Sequence, residues 1–203
     1  MKLKVCGMKY TDNIREVAKL SPDFMGFIFY KDSKRFVGDD FVMPEISSAI
    51  KKVGVFVNDS IENIITNVRM YKLDYVQLHG NESPEFCKKV GEKARVIKAF
   101  GLPCHSERSE ESDFSFSFLN EYENYCEYFL FDTRTHVYGG TGKKFDWKIL
   151  ERYKGKTPFF LSGGIDSAET GNTNPFAIDV NSKFEIEPGL KDITKLKKLK
   201  DEL

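Results

Sequence analysis

The chain has 203 residues, 40% of them hydrophobic and 18 of them phenylalanine, enough for a sizeable core in one domain spanning 1–203. Lysine plus arginine and aspartate plus glutamate number 31 each, so no overall charge draws the chain toward nucleic acid or an anionic membrane. No apolar run approaches the roughly 20 residues of a membrane span, no signal-peptide stretch follows Lys2 and Lys4, and Cys6, Cys87, Cys104 and Cys126 show no CxxC pairing, so the expectation is a cytoplasmic protein with reduced thiols.

Taken in chain order, β-favouring runs alternate with amphipathic or charged stretches. The runs are KLKVCGM (2–8), DFMGFIFY (23–30), KKVGVFVN (51–58), DYVQLHG (74–80), RVIKAF (95–100), EYFLFDT (127–133), PFFLSGG (158–164) and PFAIDVN (175–181). Between and after them lie stretches read as helices: TDNIREVAKL, FVMPEISSAI, SIENIITNVRMYK, SPEFCKKVGEK, SFLNEYENYC, FDWKILERYK and a final DITKLKKLKDEL. Thr11, Ser60 and Ser83 are placed to accept from the free N–H groups of a first helical turn, and Pro84 suits a first helical position because its missing N–H costs little there. The last four residues, Lys200-Asp201-Glu202-Leu203, spell a lumenal retention signal, but they read as a charged final helical turn.

Strand, helix, strand, repeated, implies parallel strands joined by right-handed crossovers. Eight such units close into an α/β (β/α)8 TIM barrel, here compact. A six-stranded doubly wound sheet is the alternative, but Cys6-Gly7-Met8-Lys9 after the first run lacks the GxGxxG pattern of a dinucleotide site. Two segments fit poorly. Residues 101–117 contain a serine-glutamate-arginine run that reads as an exposed loop. Residues 165–174 leave only ten positions for a crossover that needs about 10–12 with its helix, so the seventh crossover helix is expected to be shortened or missing.

In such a barrel the chemistry gathers where strands end at their C-termini. Reading those positions gives Cys6, Arg35, Asn58, His79, Asp132 and Asp179, among them a thiol, a guanidinium, an imidazole and two carboxylates at one face. Each has a plain structural reading as well. A cysteine at a strand end packs as a small apolar group, Asp132 can cap a turn, and Arg35 sits near Lys31 and Lys34 in a charged stretch. Glycine clusters follow the sixth and seventh runs, with Gly140 and Gly142 in GGTGKKF and Gly163 and Gly164 in SGG. Backbone N–H groups can approach an anion closely where no Cβ intervenes, so two such clusters on adjacent strands point to a phosphorylated small molecule.

The motifs KVCG, SKRFV (33–37), VGVFVN, VQLHG, FDT (131–133), GGTGKKFDW (139–147), LSGGI (161–165) and DVNSKFE-x-x-PGLKD (179–192) occur in this order along almost the whole chain. In that set the sequence resembles phosphoribosylanthranilate isomerase of tryptophan biosynthesis. The resemblance implies a barrel enzyme that uses no metal and no organic cofactor. It implies an Amadori rearrangement, an aldose–ketose isomerisation of N-(5-phosphoribosyl)anthranilate to 1-(2-carboxyphenylamino)-1-deoxyribulose 5-phosphate. It further implies Cys6 as general base, Asp132 as general acid and Arg35 as the partner of the anthranilate carboxylate, with base and acid on opposite sides of the ring of strands. His79 and Asp179 are candidates for substrate contact or for the surrounding hydrogen-bond network. Gly140, Gly142, Gly163, Gly164, Ser182 and Lys183 are candidates for phosphate binding.

The sequence departs from the family pattern where the last strand commonly continues D-V-S-S-G-V-E, because Lys183 takes the place of a cradle glycine. The related isomerase of histidine biosynthesis has aspartates at the ends of strands one and five, where this chain has Cys6 and Phe100. A non-catalytic or altered-specificity phosphosugar-binding barrel is the reading from a different class. Expected partners are the small-molecule substrate and, at most, a second copy of the chain, as monomer or homodimer.

Overall fold

The computed structural model describes residues 1–103, 115–133 and 145–203. Eight strands lie within or close to the eight runs: β1 (Lys2–Val5), β2 (Phe24–Ile28), β3 (Lys51–Phe56), β4 (Tyr75–Leu78), β5 (Arg95–Leu102), β6 (Tyr128–Thr133), β7 (Phe159–Leu161) and β8 (Ala177–Val180). Each pairs in parallel with the next, and β8 returns to β1 with Lys4 opposite Asp179 and Val5 opposite Val180, closing the barrel. The doubly wound alternative is thereby excluded.

The strand period of two sorts the side chains. Outward-facing residues such as Val5, Phe27, Val76, Phe129 and Ile178 join the layer under the helices. Inward-facing residues near the strand starts form an apolar plug of Phe24, Val53, Tyr75, Ile97, Leu130, Phe160 and Ala177. Within it Phe24 meets Phe160 and Tyr75 edge-on, at ring separations of 5.1 and 5.7 Å. Edge-to-face contacts favour the positive ring edge against a negative face. Two to four residues farther along these strands, and on β1, the inward positions turn polar: Lys4, Gln77, Asp132 and Asp179, with Cys6 and His79 just past the ends of their strands. The plug seals one end of the barrel and the polar layer opens at the other.

Among the described residues the α-helices are α1 (Thr11–Lys19), α2 (Ile61–Tyr71), α3 (Pro84–Gly91) and α4 (Ile193–Asp201). Ser60 Oγ accepts from the Asn63 N–H at 3.1 Å and Ser83 Oγ from the Phe86 N–H at 3.2 Å, caps worth about 1 kcal/mol each. Pro84 occupies the first turn, as expected. Thr11 is not a cap: it is the first helical residue, and Tyr10 before it makes no side-chain cap. Asp192 supplies the cap of α4, accepting from the Lys195 N–H at 3.1 Å. Lys200 and Asp201 end that helix, so the terminal tetrapeptide begins in a charged last turn.

Several expected helices are absent or tighter. Residues 41–50 form no helix. Pro44 would remove an internal helical hydrogen bond there, and Ser47 closes a local turn instead, its carbonyl accepting from Ile50 at 3.0 Å. Phe41 anchors this segment against Phe27 and Tyr71, with ring centroids 5.9 and 5.5 Å away. The stretches SFLNEYENYC and FDWKILERYK, read as helices, carry the 3-10 turns Ser117–Glu121 and Trp147–Arg152. The seventh crossover, 165–174, has no helix at all. Cys104, most of the serine-glutamate run and the glycines Gly140 and Gly142 lie outside the described residues. Among the described residues no helix is long and apolar enough to cross a membrane.

One element was not expected. After β8 the chain makes an antiparallel hairpin, β9 (Glu185–Glu187) and β10 (Leu190–Lys191). It carries Glu185 and Lys191 to the polar end of the barrel.

Candidate active site

Cys6 follows β1 directly, its N–H bonded to the Val180 carbonyl at 2.9 Å. The residue is 5% exposed and packs with Ile28, Val55 and Tyr30. It turns toward β2, where a Cβ on Gly26 would lie 2.7 Å from Sγ. Position 26 is therefore glycine for a reason of space: the sulfur occupies the volume of the missing side chain. Burial raises the thiol pKa above its ordinary value, Lys4 and Lys191 oppose that with positive charge, and Asp179 adds to it with negative charge.

Lys4 is the inward residue two before Cys6 and has no exposed surface. Its Nζ donates to Asp179 Oδ2 at 2.7 Å. Burial alone would lower the ammonium pKa, but Asp179 and Cys6, by charge and hydrogen bonding, carry it above the ordinary lysine value. Asp179 is itself pushed up by burial, with Lys4 opposing. Its second oxygen, Oδ1, is buried and without a partner among the described residues. Lys4 was missed as a site residue in the sequence, although its parity with Cys6 on one strand was a sufficient signal.

Asp132 stands on β6, three strands from β1 by way of β8 and β7. Base and acid candidates are thus not diametrically opposed, and Asp179 on β8 stands between them. Asp132 Oδ1 accepts from the Thr133 N–H at 2.8 Å, and Oδ2 lies 3.5 Å from His79 Nε2. Gln77 Nε2 is 2.8 Å from His79 Nδ1. With that amide donating, the imidazole proton sits on Nε2, the nitrogen that faces Asp132. The loop that carries His79 is braced from beneath. Glu82 accepts from the N–H groups of Asn58 and Gly80, each at 2.9 Å, and pairs with the buried Lys98 at 3.1 Å. Asn58, at a strand end like the others, belongs to this brace: its Oδ1 accepts from the Asn81 N–H at 2.7 Å.

Arg35 is buried and does not belong to a solvated charge run. Its guanidinium grips Glu185, with Nε to Oε1 at 2.9 Å and Nη2 to Oε2 at 2.7 Å. Lys191 Nζ also donates to Glu185 Oε1, at 2.7 Å, and to Asn181 Oδ1 at 2.7 Å. Burial lowers Lys191 to about 8, with Glu185 opposing. Burial would raise the Glu185 carboxyl, but hydrogen bonds from Arg35, Lys191 and the Gly189 N–H hold it below the usual range. Two cations on one carboxylate leave a net positive rim. Glu185 and Lys191 were not singled out in the sequence, because the hairpin that positions them has no period-two signature over its few residues.

Gly163 and Gly164 follow β7, both at positive φ, 87° and 70°, a conformation that costs glycine little and other residues more. A Cβ on Gly163 would also lie 2.6 Å from Thr133 Oγ1 and 3.1 Å from Asp132 Oδ1. Ser182 and the exposed Lys183 occupy the turn Ser182–Phe184 after the neighbouring strand β8. The two loops flank one another at the polar end. Among the described residues no group of three or more His, Cys, Asp or Glu side chains is placed to hold a metal ion. Cys87 and Cys126 are buried away from this cluster, beside Lys98 and Glu82.

The arrangement offers a buried thiol, a carboxyl group beside an imidazole, a cluster of cations and a glycine-rich loop, all at the C-terminal end of the barrel strands. Such a set can move protons on a small anionic molecule. Residues 3–202 match the family model described as N-(5'phosphoribosyl)anthranilate (PRA) isomerase. The chain is 49% identical over 208 residues to N-(5'-phosphoribosyl)anthranilate isomerase of Parabacteroides distasonis, covering 97% of this chain and 90% of that one. The crystal structure of phosphoribosyl anthranilate isomerase from Thermotoga maritima superposes with a TM-score of 0.77 at 33% identity, covering 97% of this chain and 95% of that one. A crystal structure of phosphoribosyl anthranilate isomerase in complex with reduced 1-(o-carboxyphenylamino)-1-deoxyribulose 5-phosphate gives 0.74 at 29% identity, covering 100% and 97%.

Proposed function

The chain belongs to the N-(5'-phosphoribosyl)anthranilate isomerase family of tryptophan biosynthesis, and from that premise we propose that Cys6 and Asp132 work as its general base and general acid. The reaction moves hydrogen within one molecule. Asp132 gives a proton to the furanose ring oxygen as the anilino nitrogen's lone pair opens the ring to an imine at C1′. The cationic imine acidifies the C2′ hydrogen, and the Cys6 thiolate takes that proton. The resulting enolamine relaxes to the C2′ ketone, with C1′ gaining the hydrogen that C2′ lost. General acid–base help of this kind contributes about 10²–10⁴-fold at each proton.

The observation that supports this reading is a shared end of the barrel: Cys6 and Asp132 take inward positions where β1 and β6 end, with Asp179 on β8 between those strands. His79, with its proton toward Asp132, orients the carboxyl group and can re-supply its proton. Asp179 Oδ1, buried without a partner, is available to a sugar hydroxyl. Arg35 takes the anthranilate carboxylate. Its Nε–Nη2 edge is committed to Glu185, so the substrate meets the free end of the fork, Nη1 and Nη2. Gly163, Gly164, Ser182 and Lys183 receive the phosphate, with Lys183 adding charge where the family pattern has a glycine. Gly140 and Gly142 are assigned to the same phosphate on the sequence motif alone.

The test is turnover of freshly made N-(5-phosphoribosyl)anthranilate by the purified protein, followed through the fluorescence of the anthranilate ring. Loss of substrate fluorescence in proportion to enzyme supports the reading. Tight binding of substrate without turnover supports the non-catalytic barrel instead.

A further inference from the structure

Nothing in the assignment of Cys6 as base explains how a sulfur sealed at 5% exposure becomes a thiolate. Its surroundings can be taken element by element. β2 and β3 bring Gly26, Ile28 and Val55, none of them charged. β8 brings Asp179, which opposes a second negative charge. β6 and the end of β4 bring Asp132 and His79, which face one another at 3.5 Å. β10 brings Lys191, but that ammonium is already held by Glu185 and Asn181, each at 2.7 Å. β1 brings Lys4, one strand period below the thiol and wholly buried.

Lys4 has a feature a simple structural ion pair does not need. Its ammonium donates to one oxygen of Asp179 at 2.7 Å, and on the inward face of β1 it stands two residues before Cys6. A lysine ammonium has three donors. A hydrophobic pair in place of Lys4 and Asp179 would satisfy the packing as well, since buried ion pairs are often no more stabilising than apolar substitutes. The pair holds a buried cation at the carboxylate, one strand period from the thiol on the same inward face.

We propose that Lys4 is a positioning residue for the reaction, the counter-cation that stabilises the Cys6 thiolate, with Asp179 holding its ammonium charged and in place while the thiol is neutral. This rests on the reading of Cys6 as the base. No proton leaves Lys4 in the cycle. When the thiol ionises, the ammonium shares its charge between sulfur and carboxylate. When the thiolate takes the C2′ proton, the ammonium returns to Asp179 alone. Ionisation releases the thiol proton to solvent and adds one negative charge, which the ammonium already in place offsets without a water at the sulfur.

The test reads Cys6 directly, by peptide-resolved mass spectrometry of iodoacetamide alkylation across pH, beside the pH profile of kcat/KM. Lys4→Met should move the midpoint of Cys6 alkylation upward by about 1–3 pH units, the usual effect of removing an adjacent opposite charge, and the acid limb of kcat/KM should move with it. An unmoved midpoint in folded Lys4→Met overturns the proposal. Because that variant strands Asp179, the double variant Lys4→Met/Asp179→Asn is compared with Asp179→Asn alone, a pair in which no buried carboxylate is left uncompensated. A higher midpoint in the double variant supports the counter-cation role, and coincident midpoints overturn it. Cys6→Ala with undiminished turnover would sink the base reading itself. The alkylation midpoints would still decide what Lys4 does to the sulfur.

Discussion

Arg35 and Glu185, 150 residues apart, are joined by a two-pronged ion pair with contacts of 2.9 and 2.7 Å. The pair ties the loop after β2 to the hairpin after β8, across the opening between which β1 ends. Glu185 also takes Lys191, so the guanidinium is held in one orientation before any ligand arrives. A pre-oriented fork loses little entropy when it meets a second carboxylate. Arg35→Ala should therefore act mainly through KM. Loss of a charge-assisted hydrogen bond worth about 1.5–3 kcal/mol corresponds to a rise of about 10–150-fold. Steady-state fluorescence kinetics check this, and unchanged KM and kcat would reduce Arg35 to a structural clamp.

Asp132→Asn should remove the acid while leaving the local fold intact, because the amide oxygen can still accept from the Thr133 N–H. The expected effect is a fall in kcat of about 10²–10⁴-fold with KM little changed. Circular dichroism alongside the kinetics separates this from unfolding. A rate equal to the parent's would remove Asp132 from the chemistry.

Glu185 makes a stability prediction with a sign. Its pKa is depressed in the folded state, so its contribution is present above the unfolded value, about 4.3, and is lost as pH falls through the lower folded value. Glu185→Gln should cost about 3–5 kcal/mol at pH 7, since it leaves Arg35 and Lys191 without their shared carboxylate. Urea unfolding at a series of pH values should show that gap narrowing below about pH 4.3. A gap that stays constant down to pH 3 would contradict the ion-pair account.

Gly26→Ala tests the space reserved for the thiol. The added methyl would sit 2.7 Å from Sγ, so the sulfur must move or the strands must part. Overpacking of this kind costs about 1–3 kcal/mol. The expectation is a folded protein of lower Tm whose turnover falls more than its stability does. A variant with parental kcat would show that the position of Sγ is not critical.

The strands were legible because they alternate: β-branched and aromatic residues in runs of four to eight mark a buried pleated surface whatever lies between them. The crossovers were less so. FVMPEISSAI has a helical spacing of apolar residues, yet Pro44 and the serine turn around Ser47 outweigh it. Likewise SFLNEYENYC and FDWKILERYK tighten to 3-10 turns, whose aromatic anchors, among them Tyr122 and Tyr153, bind them to the barrel. For the candidate site, position along a strand singled out Cys6, His79, Asp132 and Asp179, and the structure places all four at the C-terminal ends of their strands. Arg35 was read as a ligand partner, but its bond to Glu185 depends on a hairpin whose three- and two-residue strands leave no periodic trace. Lys4 was overlooked because a lysine in a first strand reads as a surface residue until its inward parity with Cys6 is counted.

The most direct measurement of the central claim is the turnover number of Cys6→Ser on freshly made N-(5-phosphoribosyl)anthranilate. Serine keeps the shape and hydrogen-bonding capacity of the side chain but ionises far less readily. The account predicts a loss of kcat of at least about 10²-fold in a protein with the parent's circular dichroism and melting behaviour. A folded Cys6→Ser protein turning over at the parent's rate would contradict it.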